Sequence, residues 1–303
     1  MSQDLARKIR GRKLLDACFG VLGLVMVVAC LGTLGVLIAD LVRDAAPHLR
    51  PEFLNSFPSR HPEQAGIKSA LVGTLLVALV TAALALPLGV AAGVYLEEYA
   101  KKNRLTAAIE INIANLAGVP SIVWGLMALG LLVYRLHLGR DILTAGITLA
   151  FLVLPVIIVA TRESVRAIPQ SLREGSYALG ATRWQTTSRI VIPSSMGGIL
   201  TGSILAMSRA VGETAPLITI GALSYIAFLP PAPLSTEPPF VSIAWLHSEF
   251  TVLPIQLFNW VSRPDPRFAE NAAAAGVVLV AMTLSMNAVA ILLRFRLRKK
   301  YAA

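Results

Sequence analysis

The sequence has little charge: Asp, Glu, Lys and Arg make up only 15% of its 303 residues, against 55% hydrophobic residues and a mean hydropathy of +0.69. Soluble domains carry roughly 25% charged residues, so this composition excludes an ordinary water-soluble fold and makes the bilayer the solvent. Cysteine is nearly absent. Cys18 and Cys30 both fall in the first apolar run, where a thiol acts as a small hydrophobe, and no metal-ligand spacing surrounds them. The histidines, His48, His61, His137 and His247, are scattered through loops and span edges, read as solvated, and receive no catalytic role. The pattern Gly-x-x-x-x-Gly-Lys-Ser/Thr does not occur, so the chain has no phosphate-cradling loop with which to hydrolyse ATP itself. Although the net charge is +10, no aromatic-and-basic patch suited to nucleic acid accompanies it. No bound cofactor, metal or catalytic group is expected.

What the sequence has instead is long apolar runs. Six spans are expected: Leu14 to Val42, Ile67 to Tyr95, Ile109 to Leu136, Ile142 to Ala160, Met196 to Ala222, and Ala272 to Leu293. The first is too long for the core of a cleaved signal and is read as retained. Pro87, Pro120, Pro155 and Pro216 lie within spans and are expected to bend them, as hinges or as static kinks. Arg43 to Gln64 holds four prolines and reads as a loop without regular helix. Tyr225 to Glu270 reads as a longer loop, in which Trp245, Phe258 and Trp260 suit either an interfacial aromatic belt or a face for an outer protein. Lys and Arg crowd into the N-terminal tail, the loops after the second and fourth spans, and the tail Arg294, Arg296, Arg298, Lys299 and Lys300. By the positive-inside rule these sites, and both termini, are cytoplasmic.

One polar stretch, residues 171–193, interrupts the apolar pattern between the fourth and fifth spans. Ser171 with Glu174, and Thr182 with Gln185, each fit a capping box, which predicts two short helices hinged near Gly180. On that motif alone Glu174 caps a surface helix and nothing more. The wider spacing of Glu174, Gly175, Ser176, Gly180, Ile190 and Pro193 resembles the EAA loop of ABC-importer permeases, with Gly175 and Ser176 where that family usually has Ala and Ile192 where it often has Leu. The resemblance implies a coupling element that docks in a cleft of an ATP-hydrolysing partner.

In the fifth span Gly198, Gly202, Ala206 and Ala210 recur every four residues, a seam that lets another helix approach closely. Beside it lie Arg209 and Glu213, one turn apart. An arginine at mid-span costs about 2.5–3.5 kcal/mol on insertion scales, so it faces protein or a water-filled path. Two readings remain open: an ion pair that touches no solute, or part of an anion route, for which a guanidinium fork suits phosphate oxygens. Pro216, three residues on, cannot donate to the Gly212 carbonyl and is expected to loosen the helix there.

Residues 209–216, RAVGETAP, are similar to the corresponding span of phosphate ABC-importer permeases. So are residues 118–126, GVPSIVWGL, and 87–99, PLGVAAGVYLEEY, while 253–258, LPIQLF, is similar to an outer element of the PstA-type subunit rather than the PstC-type one. One departure is Arg162, two positions later than the arginine that often precedes the EAA loop; two residues are about 200° around a helix, so no role is assigned to it. The resemblance implies an all-α membrane protein of six transmembrane helices with the type I ABC importer permease (MetI-like) fold, in the bacterial plasma (inner) membrane. Residues 1–66 would hold the basic tail, first helix and periplasmic loop, 67–293 the permease domain, and 294–303 a basic tail. Arg209, Glu213 and Pro216 would line the substrate path. The implied partners are a PstC-like permease, a PstB-like ATPase dimer that uses ATP and Mg, and a periplasmic PstS-like phosphate-binding protein. Import of another oxyanion such as sulfate or molybdate is the alternative, and transport without ATP a remoter one.

Overall fold

The computed structural model describes residues 2–233, 240 and 242–301, and every regular element among them is helical. Helix α1 spans Ser2–Ala45, α2 Pro51–Asn55, α3 Lys68–Val94, α4 Arg104–Leu116, α5 Ser121–Ala128 and α6 Ile142–Arg166. Next come α7 Gln170–Ala178, α8 Arg183–Thr186, α9 Ile192–Gly212, α10 Ala215–Ile220, α11 Leu253–Val261 and α12 Arg267–Tyr301. π-Helical turns prolong α3 over Tyr95–Tyr99 and α5 over Leu129–Arg135, and join α8 to α9 over Thr187–Val191.

Five stretches are long and apolar enough to cross a membrane: Leu15–Ala45, Lys68–Tyr99, Ile142–Arg166, Arg183–Gly212 and Arg267–Arg296. The expected third span is not one rod, because α4 and the stretch Ser121–Arg135 meet at 104°; counted as one broken span they make a sixth. Pro120 lacks the N–H a continuing helix needs and disfavours helical backbone at Val119, so the chain turns there. The helices run on through Pro87 and Pro155.

Three boundaries differ from the sequence expectation. The fifth span begins at the elbow itself and stops at Gly212, where Glu213 turns extended (φ −76°, ψ 129°). Pro216 therefore opens a second helix, in the first turn where its missing N–H is harmless, rather than loosening a continuous one. The Arg43 to Gln64 loop holds α2 and a short 3₁₀ turn, each started by a proline. Within Tyr225 to Glu270, α11 packs on α12 and α3, and α12 starts at Arg267 and continues through the basic tail to Tyr301. Trp260 is fully buried between Phe53 and Phe268, with ring centroids 6.0 and 6.4 Å away, so it belongs to no outward aromatic face.

Helix α6 is the central post. Of its apolar window 67% is buried, against 0% for α1, which touches the rest of the chain through α12. Helices α3 and α9 pack along α6. The small-residue seam of α9 is what brings it close: Gly198 faces Ser164 and Gly202 faces Ala160, and a Cβ at either glycine would overlap its neighbour. Ala206 and Ala210 continue that line and are buried.

Candidate functional site

The break between α9 and α10 places the first group of expected residues. Arg209 lies in the last turn of α9 and its Nε donates to Glu213 Oε1 at 3.1 Å, so the pair forms across the helix end rather than inside a continuous span. The Arg209 side chain is 44% exposed and that of Glu213 17%, which leaves part of the guanidinium fork uncovered. Ser208, the preceding residue, hydrogen-bonds Asn287 of α12 and fixes the α9 face that turns Arg209 outward. Pro216 is buried against Gly125 of α5, where a Cβ would overlap Thr219 and crowd the Pro216 backbone. The break is thereby held between α5 and α12, and the guanidinium faces out of this chain.

The second group forms an elbow. Helix α7 does not use the expected Ser171–Glu174 capping box: its N-cap is Pro169, with no side-chain cap. Proline disfavours helical backbone at Ile168, which sets the boundary there and puts Ser171 inside the first turn, too late to cap it. Glu174 and Gly175 are exposed instead. The Thr182–Gln185 box does form, with both reciprocal bonds, at 2.8 and 3.3 Å. Between the two helices Gly180 has φ +80°, left-handed backbone that glycine adopts without strain. Ser176 is buried and its hydroxyl lies 2.8 Å from that of Thr186, tying α7 to α8. The second arm is not a separate short helix, since it runs through the π turn containing Ile190 and on past Pro193 into α9. Leu179 at the tip is 91% exposed and Trp184 66%, an apolar point projecting from a polar elbow.

Where the elbow meets the spans lies a charge cluster that the sequence did not reveal. Glu97 Oε2 accepts from Arg166 Nη2 at 2.9 Å, and Arg162 Nη2 reaches Glu110 at 2.9 Å with its Nε 3.7 Å from Glu97. Arg162, left without a role in the sequence, is thus a buried residue of α6 paired with Glu110 of α4. Glu98 accepts from Arg173 at 2.6 Å, and both residues are buried. The partners are 52–75 positions apart, so no local spacing signals them; the only hint is acid at the end of the second span and base at the end of the fourth. Two histidines read as solvated are also paired: His247 Nδ1 lies 2.8 Å from Asp141 Oδ2, and His48 Nδ1 3.3 Å from Glu270. Among the described residues no group of His, Cys, Asp and Glu is arranged to hold a metal ion.

An all-helical bundle of apolar spans, with a charged pair at a helix break and a polar elbow hung between two packed spans, defines a multi-pass membrane transport subunit. The chain belongs to the family of binding-protein-dependent transport system inner membrane components, which matches residues 85–302. Among its curated relatives is phosphate transport system permease protein PstA 1 of Mycobacterium tuberculosis, 34% identical over 236 residues, 77% of this chain and 73% of that protein. The phosphate transport system permease protein PstA of Yersinia pestis is 34% identical over 251 residues, 82% of this chain and 78% of the relative. The MetNI methionine ABC transporter in an inward-facing conformation has a chain that superposes with a TM-score of 0.56 over 77% of this chain and 94% of that one; at 15% identity the likeness is one of fold.

Proposed function

We propose that this chain is the PstA-like permease subunit of an ATP-driven phosphate importer. With a second, PstC-like permease it forms the path that carries inorganic phosphate across the plasma membrane. The observation that carries this reading is the half-exposed guanidinium of Arg209 at the α9–α10 break, held by Glu213 at 3.1 Å in a chain whose relatives are named as phosphate permeases. Guanidinium stays protonated and offers several N–H donors to phosphate oxygens. Glu213 orients it and competes with the anion, which keeps binding weak enough for release.

Residues 67–293 act as the permease domain. The elbow of Glu174, Gly175, Ser176, Gly180, Ile190 and Pro193 receives the movement of a PstB-like ATPase dimer, where ATP and Mg are used, and a PstS-like binding protein delivers phosphate on the other side. The clustering of Lys and Arg at both termini and around the elbow supports a cytoplasmic position for all three. Reconstitution of the four-component complex tests this. Phosphate uptake that requires ATP, and that excess sulfate or molybdate leaves unchanged, is expected. Uptake driven by an ion gradient through this chain alone, or competition by sulfate, contradicts it.

A further inference from the structure

The coupling element has a second attachment that its motif does not contain. Arg173, in the second turn of α7, is only 8% exposed, and its guanidinium makes four hydrogen bonds. Nε and Nη2 donate to Glu98 Oε1 at 3.0 and 2.6 Å; Nη1 donates to the Ile168 carbonyl at 2.6 Å and Nη2 to that of Val165 at 2.9 Å. Val165 lies in the last turn of α6, where the helix dipole favours a cation, and its carbonyl also accepts from the Ile168 N–H at 3.2 Å; Ile168 lies in the link to α7. Glu98 lies on the π turn that ends α3 and is 6% exposed. One side chain of the elbow therefore holds the ends of α3 and α6 together.

Burial of an ion pair is weak grounds for stability, because desolvation offsets the attraction. What the pair does supply is a constraint. Sliding α7 against α6 by one bond length or two would strip a buried charge of its partners. Beside the pair opens a cleft of about 750 Å³ lined by Lys102, Arg166, Tyr177 and Arg183. The other arm of the elbow is already continuous with α9, and Ser176–Thr186 joins the arms.

We infer that Arg173 is the positioning residue through which movement of the elbow enters the second and fourth spans, while the fifth span receives it directly along α8. This rests on the coupling role proposed above for the elbow. The test uses the assembled complex in proteoliposomes and the double substitution Glu98→Leu/Arg173→Met, which removes both charges and leaves neither buried alone. The double variant is expected to assemble and hydrolyse ATP while phosphate moved per ATP falls at least about tenfold, the scale of an ordinary coupling free energy between two sites. Uptake and hydrolysis falling in proportion, or an unchanged ratio, overturns the inference. If the double variant fails to assemble, Arg173→Lys decides: it keeps the charge but loses the fork, and a normal ratio, or failure to assemble, overturns the inference, whereas a lowered ratio supports it. A distance measurement between spin labels at Tyr95 and Ser171, in a background without Cys18 and Cys30, judges the tie without phosphate. It is expected to stay fixed between nucleotide-free and nucleotide-trapped complex and to change in the double variant. A wild-type complex that moves no phosphate refutes the transport reading alone, and the label distance still decides the tie.

Discussion

The α6–α9 seam sets how closely the elbow's two anchoring spans approach, and a single methyl group tests it. In Gly202→Ala the new Cβ would overlap the Ala160 Cβ, whereas carbons in contact sit about 3.5–4.0 Å apart. Helix α9 must then move off α6 by about 1 Å or more. Overpacking of this kind costs about 1–3 kcal/mol, and the gain in helix propensity from Gly to Ala returns about 1, for a net loss of about 0–2 kcal/mol and a deficit of about 1–3 against a helix that gains the propensity alone. At the size of this chain that lowers the apparent Tm by at most about 3 °C. Gly197, also in α9, has nothing within 4 Å of its would-be Cβ, so Gly197→Ala is the control that gains the helix propensity, about 1 kcal/mol, without the overlap. The swap Gly202→Ala/Ala160→Gly conserves seam volume and total propensity and is expected to restore the wild-type Tm. Thermal unfolding of the purified chain, followed by fluorescence of a thiol- or tryptophan-based reporter, measures all four proteins. Gly202→Ala as stable as Gly197→Ala, or a swap that fails to restore stability, would show that the seam is not closely packed.

Two further perturbations address the elbow. Thr182→Ala removes one bond of the reciprocal cap and is expected to cost about 1 kcal/mol, seen as faster amide hydrogen exchange over residues 183–187, while Ser171→Ala leaves exchange in α7 unchanged. At Gly180, with φ +80° and open space around it, Gly180→Asn is expected to preserve transport, whereas Gly180→Val adds about 1–2 kcal/mol of backbone strain and lowers uptake per ATP; equal activity of the two would deny the elbow a fixed geometry.

The parts of this fold that were legible in the sequence are those written in local spacing. Apolar runs located the spans, the four-residue recurrence of Gly198, Gly202, Ala206 and Ala210 marked the side of α9 whose glycines approach α6, and Thr182 with Gln185 marked a helix start that forms. Equally local reasoning failed where a proline shifted the frame. Pro169 began α7 early enough to make Ser171 useless as a cap, Pro120 turned a bend into a 104° break, and Pro216 began a helix instead of bending one. Charge partners were the least legible. Glu98 and Arg173 are 75 positions apart and meet only because α3 and α6 pack side by side, a tertiary fact with no periodic signature. Trp260 illustrates the same limit, as its burial depends on Phe53 and Phe268 arriving from distant segments.

The measurement that bears most directly on the central claim is phosphate uptake by the Arg209→Gln complex. Glutamine keeps hydrogen-bonding capacity but removes the charge and the fork, and at a side chain 44% exposed it leaves the fold intact. Assembly with the partner subunits and ATP hydrolysis should persist while uptake is lost. Uptake at the wild-type rate would take Arg209 out of the phosphate path.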